Sequence, residues 1–173
     1  TNDSDLFLFD RTTKKTTKIN NTNSSNSAST FSLDDTELYY TTDAAGEFST
    51  LMKYNVTSGE SEKVLQKEWD VNGCYFTKTG KYRVSYINED AKNVIEVLDV
   101  ATGKNIALPN VDGKSITNVG FSRDETKMRF YAGGSHTPSN LYIYDLETET
   151  QTQLSDVLNK EIDASHLVNA KVI

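Results

Sequence analysis

The residues best suited by type to nucleophilic chemistry lie together in Gly133-Gly134-Ser135-His136-Thr137. A serine hydrolase needs its Ser on a strained strand-to-helix elbow, Gly-x-Ser-x-Gly, with His and Asp carried in from elsewhere in the fold. Here the final Gly is absent, His136 adjoins Ser135 in the chain, and the segment falls between two predicted strands with no helix after it. It reads as a hairpin loop, and no catalytic residue is expected in this sequence. Metal chemistry finds no better footing. His136 and His166 are 30 residues apart, and neither has a His or Cys neighbour at ligand spacing. Asp34-Asp35 and Asn110-Val111-Asp112-Gly113 are acidic turns that lack the further oxygen ligands of a calcium loop. Cys74 is the only cysteine, which excludes an internal disulfide and a multi-cysteine zinc site. No Gly-rich phosphate loop or dinucleotide fingerprint occurs, and Ser32-Leu33-Asp34-Asp35-Thr36 lacks the Gly-x-x-Trp ending of a sialidase-type repeat. No metal and no cofactor are expected.

Residues that could contact a partner are easier to find. Trp69, the only Trp, sits in Glu68-Trp69-Asp70 on a predicted connection. It could anchor a peptide, since Trp is enriched at binding hot spots, or pack over a junction between structural units. Glu47 and Phe48, on the connection 43–49, and His136 are the other candidates for partner or peptide contact. Charge narrows the partner class. With 18 Lys+Arg against 25 Asp+Glu the net charge is −7, whereas a nucleic-acid binder needs clustered cations to displace counterions. No run approaches the ~18 apolar residues of a membrane helix, so neither nucleic-acid binding nor membrane insertion is expected.

What must position these residues is a repeat. Leu6-Phe7-Leu8-Phe9-Asp10, Leu51-Met52-Lys53-Tyr54-Asn55, Ile95-Glu96-Val97-Leu98-Asp99 and Leu141-Tyr142-Ile143-Tyr144-Asp145 align, and their last residues (10, 55, 99, 145) are 45, 44 and 46 apart. Phe31-Ser32-Leu33-Asp34, Phe76-Thr77-Lys78-Thr79 and Phe121-Ser122-Arg123-Asp124 precede the later copies, at spacings of 45 and 45. Five spacings agreeing within one residue mark an internal repeat. Within one period, runs rich in Val, Ile, Tyr, Phe and Thr predict four strands, over 116–121, 127–132, 140–145 and 150–154. The best helix candidate, 155–164, is short and weakly patterned. The third strand of each unit is apolar on both sides, so it is expected to be covered on both. A β-sandwich has no reason to repeat Phe-Ser-x-Asp at this interval; four-stranded units of this length stacked face on face are propeller blades. The expected fold is therefore all-β, a partial β-propeller. It has about three complete four-stranded blades (28–65, 73–108 and 116–154), with parts of flanking blades at 1–19 and 155–173.

Turn chemistry separates two faces. Connections at 34–36, 78–80, 124–126, 57–59, 101–103 and 147–149 are tight, with Gly, Asp and Thr supplying the geometry. Those at 20–28, 43–49, 66–72, 88–93, 109–115 and 133–139 are read as longer. Strands alternate in direction, so the longer connections emerge together, and elaborated loops on one side of a rigid scaffold suggest that this side meets a partner.

The pattern Phe-Ser-x-Asp-x-Thr, followed by an apolar-Tyr run ending in Asp and a Thr-Gly-Lys turn, resembles the propeller repeats written Phe-Ser-Pro-Asp-Gly-Lys. Such repeats occur in the periplasmic propeller of the Tol system and in the N-terminal domains of the prolyl oligopeptidase family of serine peptidases. The chain departs from the pattern at Leu33 and Arg123, where Pro is usual, and at Asp35 and Glu125, where Gly is usual. Ile87-Asn88-Glu89-Asp90-Ala91-Lys92 is similar to the peptidase group, and 158–173 looks like an exit strand leading into an α/β-hydrolase domain. The resemblance implies a non-catalytic propeller segment that caps the active site of a C-terminal hydrolase domain and filters peptide substrates. The alternative it implies is a non-enzymatic periplasmic scaffold for protein–protein interaction. A periplasmic or secreted location is favoured over a cytoplasmic one. Open blade edges would allow self-association, because unpaired strands recruit other chains.

Overall fold

The computed structural model describes residues 3–135, 137–163 and 166–168. Among them are fourteen strands and no α-helix. The first sheet has two antiparallel strands, β1 (Phe7–Phe9) and β2 (Thr16–Lys18). Three four-stranded antiparallel meanders follow, each in simple sequential order. Blade one contains β3 (Asn26–Phe31), β4 (Glu37–Thr42), β5 (Thr50–Asn55) and β6 (Ser61–Leu65). Blade two contains β7 (Asp70–Phe76), β8 (Tyr82–Glu89), β9 (Lys92–Asp99) and β10 (Lys104–Asn105). Blade three contains β11 (Ser115–Phe121), β12 (Lys127–Gly134), β13 (Thr137–Asp145) and β14 (Thr150–Gln153). The architecture is the partial, open propeller that the period implies, with one half-blade and three full blades.

Alternation along each strand sends one set of side chains to the preceding blade and the other set to the following one. On β8, Tyr82 and Val84 join Met128, Phe130 and Ala132 of β12 in the core between blades two and three. Ile87 points the other way and packs with Tyr39, Leu51, Val71 and Cys74 between blades one and two. Leu38, Tyr40 and Tyr54 cover Leu8 of the two-stranded sheet and the flanking Leu6 and Ile19. The core is thus a series of slabs between blades.

Three expectations need correction. The third strand is not covered on both sides everywhere: on β1, Phe7 and Phe9 are 58% and 54% exposed. Among the described residues, blade one lies against one side of that two-stranded sheet, and the odd-numbered rings face the other. The connection read at 88–93 is a two-residue hairpin, because β8 and β9 pair out to Glu89↔Lys92 and leave only Asp90 and Ala91 at φ of +50° and +58°. Two consecutive left-handed residues match the right-handed twist of the flanking strands. Likewise β12 and β13 pair as far as Gly134↔Thr137, so most of 133–139 is strand. In both places polar residues continue the ladder, which apolar patterning cannot reveal. The helix candidate 155–164 forms no helix over its described residues.

Candidate partner-binding face

The repeated acidic residues, the obvious candidates for chemistry, are employed in turns. Asp34 accepts hydrogen bonds from the Ser32 hydroxyl at 2.6 Å and from the Thr36 hydroxyl and amide at 2.8 and 3.2 Å. Asp124 does the same with Ser122 and Thr126. Phe-Ser-x-Asp-x-Thr is therefore the wiring of a tight turn, and these donors hold both carboxyls below the usual carboxylate range, those of Ser32 and Ser122 most strongly. Asp10, Asn55, Asp99 and Asp145 cap the turns after the third strands in the same fashion. Asp145 is lowered further, chiefly by its 2.6 Å bond from the Lys127 ammonium and then by the amide of Thr148. The turn carboxylates thus use their hydrogen bonds to hold the backbone of their own turns. No group of three or more His, Cys, Asp or Glu able to hold a metal occurs among the described residues.

The opposite face carries the connections 19–25, 43–49, 66–69 and 106–114 and the hairpin tips of blades two and three. Two of these connections are tied together. The Ser49 amide donates to Asp70 Oδ1 at 2.9 Å, and the Val71 amide to the Ser49 carbonyl at 3.0 Å. That clamp brings Phe48 and Trp69 into ring contact, with centroids 5.9 Å apart and planes tilted by 41°. Trp69 stays 37% exposed and Phe48 half-buried, while Glu47 beside them is exposed. Of the four candidates for contact, the structure brings Glu47, Phe48 and Trp69 together. His136 lies outside the described residues.

A second feature of this face escapes sequence reasoning. Between blades two and three, Asn72, Tyr86, Asn93, Ile95, Thr117 and Asn118 line an open cleft of about 330 Å³. Two of its asparagines stand at bulges in the innermost strands. The β7–β8 register skips between Val71 and Gly73, leaving Asn72 unpaired. The β11–β12 register skips between Thr117 and Gly120, with Asn118 at φ +50°. The Arg129 guanidinium donates to the Asn118 carbonyl and Oδ1 at 3.0 and 3.3 Å, which fixes that side chain's orientation. The Tyr75 hydroxyl donates to the Val119 carbonyl at 2.8 Å, and its ring stacks on Tyr86. Asn shortly before Gly inside a strand, at Asn72-Gly73 and Asn118-Val119-Gly120, was the available signal, since such pairs mark bulges. Cys74 lies behind this face. Burial raises its thiol to about 11, so it is an inert core residue.

Blades that repeat every 45 residues, turns wired by Ser, Asp and Thr, and one loop-bearing face define the class: a β-propeller segment. The model of the prolyl oligopeptidase N-terminal β-propeller domain family matches residues 1–157, and the chain belongs to that family. No curated protein matches it. Prolyl oligopeptidase B from Galerina marginata, solved with a 35mer hydrolysis and macrocyclization substrate, is similar at 15% identity and a TM-score of 0.70, over 95% of this chain and 24% of that one. A structure from a study of two prolyl endopeptidases is similar at 12% identity and TM-score 0.66, over 90% of this chain and 24% of that one. TolB from Acinetobacter baumannii is similar at 18% identity and TM-score 0.63, over 90% and 38%. The chain spans well under half the length of each of these solved proteins.

Proposed function

We propose that this chain is the non-catalytic propeller segment of a prolyl oligopeptidase-family serine peptidase. Its loop face would cap the active site of an α/β-hydrolase domain C-terminal to it and admit peptides while excluding folded proteins. The match of the peptidase propeller family over residues 1–157 carries the reading, and the Phe48–Trp69 pair beside Glu47 supplies an exposed contact on the appropriate face. The blades themselves contribute rigidity and no reacting group. The test is to express the parent gene through and beyond Ile173 and expose the product to a fluorophosphonate probe. Labelling of a downstream Gly-x-Ser-x-Gly serine, with cleavage of short peptides and no cleavage of the same peptides embedded in a folded protein, is the expected result. No labelling, or further 45-residue repeats without a hydrolase, overturns the proposal.

The similarity to TolB supports a second reading, a non-enzymatic scaffold whose loop face binds other proteins. It predicts the opposite result in the same experiment. Either reading accommodates association of copies through open blade faces. Phe7 and Phe9 on β1 favour this, because two exposed aromatic rings on a two-stranded sheet invite a covering surface. Light scattering of the chain against Phe7→Lys is the check, and a monomer in both at high concentration removes this idea.

A further inference from the structure

The cleft between blades two and three is an unusual surface for a chain of net charge −7. No charged side chain lines it; three carboxamides, a threonine, a tyrosine and an isoleucine do. The neighbouring Arg129 is engaged by Asn118 oxygens. Asn72 and Asn93 are exposed, and each carboxamide offers both a donor and an acceptor. Asn72 follows Trp69 by three residues, so the backbone holds their Cα atoms within ~11 Å. The cleft and the aromatic pair are thus neighbours on the same face.

We infer that this cleft binds the uncharged main chain of an extended peptide of about four residues, its carboxamides pairing with peptide N–H and C=O groups while an apolar side chain of the peptide meets Phe48 and Trp69. Several features select this ligand. A neutral lining has nothing to offset the desolvation of a charged ligand. The paired donor and acceptor of a carboxamide match the C=O and N–H of a peptide backbone and do not match an anion, which only accepts. About 330 Å³ lies at the lower end of ligand-site volumes, suited to a few peptide units. Bulges turn Asn72 and Asn118 out of their ladders, and bulges characteristically re-aim side chains at functional sites. This inference rests on the reading of the loop face as the peptide side and adds which residues on it grip the substrate.

The test uses the full chain, labelled with nitrogen-15, and acetyl-tetra-alanine-amide as the probe. Saturable shifts are expected in the side-chain amide resonances of Asn72, Asn93 and Asn118 at peptide concentrations on the order of millimolar, typical of a few neutral hydrogen bonds. Asn93→Ala and Asn118→Gly are the variants: the first is exposed at a strand end, and the second retains the left-handed backbone. Each should weaken binding by about fivefold, one neutral hydrogen bond's worth, with the rest of the spectrum unchanged. A tetra-sarcosine peptide, which has no main-chain N–H, should not bind. Equal binding of that peptide, or of the variants, overturns the inference. Shifts confined to Phe48 and Trp69 also overturn it while leaving the loop face as a peptide surface, and no shift at about 10 mM peptide, a Kd beyond the weakest useful contact, counts against both.

Discussion

The junction between blades one and two and the junction between blades two and three are built from the same repeat but held by different chemistry. At the second, Glu125 is buried to 2% exposure and reaches across to blade two. Its carboxylate accepts from the Thr79 amide at 2.8 Å and the Thr79 hydroxyl at 2.7 Å. Tyr82 stacks on Phe121, and Phe130 sits fully buried above them. At the first junction the corresponding contact is apolar. Leu33 lies against Gly80, whose φ is +76° and where an added Cβ would come within 2.5 Å of Leu33 Cδ1. That slab also contains Arg83 Nε and Ser85 Oγ, buried without a protein hydrogen-bond partner. The two departures from the Gly of the repeat pattern, Asp35 and Glu125, therefore differ in consequence: one is an exposed turn residue and the other a clamp between blades. A repeat preserves the blade, and its non-repeating positions set how firmly blades adhere.

The largest expected effect tests whether the second junction holds the segment together. Phe130→Ala should cost about 3–5 kcal/mol in denaturant unfolding, from lost burial plus the cavity left behind. An effect under about 1 kcal/mol, the ordinary cost of a surface change, would show that the slab is not a cohesive core. Glu125→Ala comes next, at about 2–3 kcal/mol, because two charge-assisted bonds go and the Thr79 amide loses its partner. Asp35→Ala, at the same repeat position in blade one but with an exposed side chain, should change stability by less than about 0.5 kcal/mol; an equal loss at both sites would show that Glu125 acts through its own turn and not through Thr79. Ser85→Ala should be neutral or stabilising by up to about 1 kcal/mol, since it removes an unpaired buried hydroxyl.

Cys74 reports on the first junction kinetically. Its thiol, pushed up to about 11 by burial, should resist alkylation by iodoacetamide at pH 8 in the folded chain. Val71→Ala should accelerate labelling more than Glu125→Ala does, because Val71 is fully buried in Cys74's own cluster; the reverse order would mean that both junctions open together. The smallest effect comes from the turns. Asp34, Asp99, Asp124 and Asp145 all have carboxyls lowered in the folded state. Their contribution is present above the unfolded carboxylate pKa of ~3.9 and is lost as pH falls through the lower folded values. Thermal melts should thus decline below about pH 4, and Asp145→Asn should flatten that decline slightly.

Much of this was legible in the chain because it is local. The period of the Phe-Ser-x-Asp and apolar-Tyr segments implies blades, and Ser32, Asp34 and Thr36 fold their turn with contacts no more than five residues apart. The Phe48–Trp69 contact was half legible: both residues could be placed on one face, but not in van der Waals reach. The cleft was not legible, since Asn72, Asn93 and Asn118 belong to three strands of two blades, and bulges at two of them alter register without altering composition.

By itself the sequence determined the all-β period, the strand order within each blade and the hydrogen-bonded turns. These follow from side-chain alternation and short-range bonding, which act between residues close in the chain. Only the tertiary structure decided that Glu125 locks one junction while Leu33 and Gly80 merely touch at another. It also decided that three asparagines share one cleft. Such contacts join residues up to 47 positions apart, and their partners are chosen by how blades stack, which no local pattern encodes.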